Sequence, residues 1–145
     1  MDTDGAIVEL YGLAPEQFTG ARNRLAKAVR DAGDEPAAAA IAALRRPTVS
    51  AWLANQLVRV DPDGIHALTE LGEQLRETYL SADSVRRREL TRQRHDLVRN
   101  LVQIARDRAA DGRRITPQTA ERLTETLDAA LVDPAAAQLL RTGNW

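Results

Sequence analysis

An all-α fold, a compact multi-helix bundle with no sheet, follows from three features of the 145-residue chain. Ala, Leu and Arg dominate and aromatics make up only 3%, a composition that suits helix better than sheet. Prolines stand where helices would begin. Apolar residues recur at three- and four-residue steps, and no alternating apolar–polar run supports strands.

The elements follow in order. Residues 1–13 read as an extended N-terminal arm, because Ala6 to Tyr11 would be a lone strand without a partner. About seven helices are then expected over 15–32, 35–45, 47–60, 62–81, 84–111, 117–132 and 134–142. Pro15, Pro36, Pro47, Pro62, Pro117 and Pro134 sit at their starts, where the missing N–H costs nothing. Asp61, Thr116 and Asp133 precede three of these prolines and can accept the free amides of the first turn. Gly33, Gly112 and Gly143 mark stops, as residues that tolerate the left-handed conformation.

Each long helix carries an apolar stripe. The stripes are Phe18, Ala21, Leu25, Val29 and Ala32; then Val49, Trp52, Leu53, Leu57 and Val60. The next are Ile65, Leu68, Leu71, Leu75 and Tyr79; Leu90, Leu97, Leu101 and Ile104, widened by Val98 and Val102; and Ala120, Leu123, Leu127 and Leu131. Such helices are not stable alone and must bury these faces against one another. One domain spanning 1–145, built around helices 47–60, 62–81 and 84–111, satisfies that need.

Composition excludes several functions. Without cysteine there is no disulfide, thiolate metal site or cysteine nucleophile. His66 and His95 are the only histidines, too few for a zinc site with no clustered carboxylates. No Gly-rich phosphate loop or G-x-S-x-G turn is present. No catalytic, cofactor-binding or metal-binding residue and no small-molecule substrate is indicated. The longest wholly apolar run, Ala37 to Leu44, is far short of the roughly 20 residues of a membrane span. The acidic start Met1-Asp2-Thr3-Asp4 is unlike a secretory signal, so a cytoplasmic location is expected.

Charge is the informative feature. The formal net charge is -1, yet residues 61–83 carry six acids and one base, whereas 84–114 carry ten arginines and four acids. The simplest reading is two neighbouring helices with complementary charge. Lys27 is the only lysine; arginine forks suit carboxylates and phosphates, although a GC-rich genome gives the same bias. Arg86, Arg87, Arg88, Arg92, Arg94 and Arg99 are candidates for nucleic-acid or anion contact. The segment 38–60 has helix-turn-helix character. In that reading Thr48, Ser50, Asn55 and Arg59 would face DNA.

The stretches LYGLAPEQFTGARN (Leu10–Asn23), AAAIAALRRPTVSAWLANQLVR (Ala38–Arg59), LGEQLRE (Leu71–Glu77), LTRQRHDLVRNLV (Leu90–Val102) and DPAAAQLLRTG (Asp133–Gly143) resemble an uncharacterised actinobacterial family of all-helical proteins. The resemblance implies a cytoplasmic helical domain and carries no activity, substrate or catalytic residue. Longer members continue past the position of Trp145 into coiled-coil-like helix, so the chain is expected to be a short member or the N-terminal part of a longer protein. The function expected from all of this is a non-enzymatic interaction module that binds protein partners or self-associates. The alternative is a DNA-associated regulatory domain using segment 38–60, the Arg-rich helix 84–114, or both.

Overall fold

A computed structural model describes residues 3–109 and 114–145. Among these, eight helices and no strand are present: α1 (Thr3–Gly12), α2 (Pro15–Asp31), α3 (Glu35–Ala42), α4 (Val49–Val60), α5 (Pro62–Thr78), α6 (Ser84–Arg108), α7 (Pro117–Val132) and α8 (Pro134–Thr142). The expected all-α bundle is therefore observed. The expected extended arm is not: residues 3–12 form α1. Ala6, Ile7, Leu10 and Tyr11 recur at helical spacing and, with Gly12, are the residues of α1 that lose exposure. Leu10 is buried, and the Tyr11 ring lies 5.4 Å from that of Phe18. Burial raises the Tyr11 phenol's pKa, because the phenolate would lose its hydration.

Local chemistry sets most boundaries. Asp34, Thr48, Asp61, Asp83, Thr116 and Asp133 each accept a backbone N–H in the first turn of the helix they precede. Pro47 does not open a helix. It is buried, and Thr48 caps α4 from Oγ1 to the Ala51 N–H. Gly143 ends α8 at φ +70 and Gly33 follows α2 at φ +94, the left-handed region that favours glycine. The expected stop at Gly112 lies outside the described residues.

The apolar faces gather into two clusters. The larger joins α4–α8 through fully buried Leu57, Leu68, Leu123, Leu127 and Leu140. The smaller joins α1–α3 through Leu10, Phe18, Val29, Ala38 and Ile41. Helix α7 is as central as the three helices expected to form the core, since Leu123, Leu127 and Leu131 are at most 1% exposed. Helices α5, α6 and α7 pack mutually. Gly72 permits the close approach of α5 to α7: a Cβ there would lie 2.7 Å from the Leu131 carbonyl oxygen. Three expected stripe members fall outside the core, among them Val60 at the exposed end of α4. Ala32 is the exposed C-cap of α2, and Tyr79 lies one residue past α5 and is 70% exposed.

Candidate functional site: the groove between α6 and α7

The arginines divide into two populations. The first is structural and donates to backbone carbonyls near helix ends. Arg22 reaches the Leu44 oxygen past α3 at 3.0 Å, and Arg76 on α5 reaches Leu131 on α7 at 2.8 Å. Arg87 on α6 donates to Thr78 at the end of α5 at 2.7 Å and to Ser81 at 3.3 Å, while its guanidinium lies 5.8 Å from the Tyr79 ring centroid. Arg59 donates to Val8 on α1 at 2.6 Å, to Asn55 at 2.7 Å and to Gly143 at the end of α8 at 3.3 Å. The last carbonyls of a helix lack intrahelical partners and carry the negative end of its dipole, so a guanidinium fork is suited to them. Desolvation lowers the Arg59 pKa from its ordinary value, because burial disfavours the cation.

This arrangement corrects the reading of segment 38–60. Asn55 is fully buried and its Oδ1 accepts the Trp145 N–H at 2.7 Å. Ser50 is also buried, Thr48 caps α4, and Arg59 is engaged as above. Helix α3 stops at Ala42, and residues 43–48 connect it to α4, longer than the short turn expected from Arg45-Arg46-Pro47. Three of the four side chains expected to face DNA thus hold the fold together, and the fourth is a helix cap. The indole-bearing C-terminus docks on the bundle: Trp145 is half-buried against the larger cluster.

The second population is the exposed stripe on α6. Arg88, Arg92, His95, Arg99 and Arg106 follow at steps of four, three, four and seven residues, which places them on one helix face. All five are exposed. Arg92 lies 3.6 Å from Glu89, both solvent-exposed, an arrangement that contributes about 0–1 kcal/mol. Arg86 and Arg88 are exposed as well, with Arg86 receiving the Asp83 cap through its backbone N–H. The proposed pairing of acidic α5 with basic α6 is not found: among the described residues no ion pair joins the two helices. The helices are neighbours, and what joins them is apolar contact and the Arg87 bonds to carbonyls.

Along its lower half the stripe borders an open groove of about 540 Å³ between α6 and α7. Val98 and Val102 form its floor, His95, Arg99 and Arg106 its α6 wall, and Thr124 and Asp128 its α7 wall. Arg94 spans the groove to Asp128, with Nη2 at 3.2 Å and Nε at 3.3 Å from Oδ1. Arg99 and Arg106 form no hydrogen bond or ion pair within the described residues. The hydroxyls of Thr91 and Thr124 are turned to helix carbonyls, Arg87 O at 2.8 Å and Ala120 O at 3.0 Å.

Of the six arginines proposed for anion contact, the groove gathers Arg94 and Arg99. Arg87 is a structural donor; Arg86, Arg88 and Arg92 lie outside the groove lining. Arg106, Thr124 and Asp128 were missed. The spacing of Arg106 from Arg99 continues the stripe and was visible in the sequence, whereas the α7 wall requires the tertiary arrangement. Among the described residues no group of three or more His, Asp or Glu is placed to hold a metal ion, and no helix is long and apolar enough to cross a membrane.

No family model, curated protein or solved structure matches this chain.

Proposed function

We propose that the protein is a non-enzymatic interaction module whose α6–α7 groove receives an acidic segment of a protein partner. The observation that carries this reading is the combination of an apolar floor, Val98 and Val102, with two guanidiniums on one wall, Arg99 and Arg106, that have no ion-pair partner among the described residues. An amphipathic partner segment can bury small apolar side chains on the floor and place carboxylates against the arginine forks. The groove's threonine hydroxyls, those of Thr91 and Thr124, are bonded to helix carbonyls. Arg94, held by Asp128, fixes the shape of the groove instead of supplying free charge.

The test is fluorescence anisotropy of a labelled glutamate-rich helical peptide titrated with the full chain, alongside a short duplex DNA, at two salt concentrations. Peptide binding that weakens about tenfold or more in the Arg99→Glu/Arg106→Glu variant is expected. DNA binding with a steep salt dependence and no peptide binding would overturn the reading in favour of a nucleic-acid role for the α6 stripe.

A further inference from the structure

Resting on that reading, we infer that the acidic segment is supplied by a second copy of this chain: the outer face of α5 of one copy docks in the α6–α7 groove of the next. Asp63, Glu70 and Glu77 recur at seven-residue steps on α5, with Glu73 beside them, and all four are exposed. Ile65, Leu68, Leu71 and Leu75 bury the opposite face of the same helix. The acids therefore lie on the outer side of α5, where Glu70 borders a cleft with Gln93 and Leu97 of α6, and among the described residues no ion pair joins them to the groove of their own copy. They are also uncompensated: among the described residues only Glu70 has an ion-pair neighbour, exposed His66 at 3.1 Å.

The two surfaces match in length and relief. Asp63 to Glu70 and Arg99 to Arg106 are each seven residues apart, about 10.5 Å of helix at 1.5 Å per residue. Ala67 lies on the acidic face between Asp63 and Glu70. It is small enough to let α5 settle on Val98 and Val102 while the flanking carboxylates meet Arg99 and Arg106. Because the two patches differ, the interface is heterologous, and a pair keeps one free patch of each sign, one on each copy. Copies then add head to tail unless the rotation closes a ring. Exposed charge pairs are screened beyond about 10 Å at 0.1 M salt, so association of this kind is favoured by low salt and high protein concentration.

The experiment is sedimentation velocity of the full chain and of two charge-reversed variants, Arg99→Glu/Arg106→Glu and Glu70→Arg/Glu77→Arg. All four positions are exposed, and matching melting curves confirm that the variants fold. The wild-type chain is expected to show an average mass that rises with concentration and falls with salt. Each variant alone is expected to associate at least about tenfold more weakly. An equimolar mixture retains one good groove and one good acidic face on different molecules, and the two reversed patches are complementary as well, so association is recovered. A wild-type chain that stays monomeric, or a mixture that recovers no association, overturns the inference. If such a monomer still binds the glutamate-rich peptide through Arg99 and Arg106, the groove reading stands and only the second copy is wrong. If the peptide also fails, both fall.

Discussion

Helices α1–α3 and helices α4–α8 are held together by different means. The larger cluster buries twenty apolar residues, many of them leucines drawn from five helices. The smaller buries five, of which Phe18 and Ile41 are the large, fully enclosed ones. Long-range polar bonds join the two regions: Gln56 Nε2 donates to the Gly12 oxygen at 2.7 Å and Arg59 to the Val8 oxygen at 2.6 Å. Burial at about 25 cal/mol per Å² makes the first region the source of most stability. The second region is a small assembly stitched onto it, and elements with few buried contacts open locally before the whole domain unfolds.

The largest expected effect breaks the first region. Leu127 is fully buried, and Leu127→Ala should cost about 2–5 kcal/mol, with hydrogen exchange accelerating in every helix. Phe18→Ala removes about 3–5 kcal/mol from the smaller cluster. That loss saturates once α1–α3 detach, so the global melting temperature should fall less than in Leu127→Ala, with faster exchange confined to residues 3–42. Uniform acceleration in both variants would show that the two clusters unfold as one.

A smaller effect sharpens the same boundary. Arg59→Met keeps much of the aliphatic stem and removes the bonds to Val8, Asn55 and Gly143. A cost of about 1 kcal/mol is expected, because Arg59 is an exposed residue and water competes for the bonds its guanidinium makes. Amide exchange should rise in α1 and around Gly143 while α5–α7 stay protected. Last of the four, Thr48→Ala removes the cap on the Ala51 N–H and should lower stability by about 1 kcal/mol or less, read by urea denaturation.

Features that depend on neighbouring residues were legible in the sequence. Asp61, Thr116 and Asp133 cap the helices they precede, and Pro62, Pro117 and Pro134 open them. The stripes through Leu68 and Leu127 face the core as their spacing requires. Helix α1 was not legible as a helix, because the sequence before it offers no proline and its stripe is short. Asn55 was misread for a tertiary reason: a polar side chain on a core-facing turn is explained only by Trp145, ninety positions away, which donates to it. The arginines show the same limit. Arg59, Arg76 and Arg87 look like surface charge in sequence, yet each finds a carbonyl on another helix or on the loop beyond it. Half of the candidate site was accessible, since the α6 stripe is periodic; the α7 wall that turns it into a groove was not.

An acidic segment is proposed to bind in the α6–α7 groove. Amide chemical-shift mapping of the labelled full chain with the glutamate-rich peptide tests it most directly. Shifts concentrated at Thr91, Val98, Val102 and Thr124, with residues 3–42 unmoved, are the predicted result. Shifts centred on α3 and α4, or spread evenly over every exposed arginine, would contradict it.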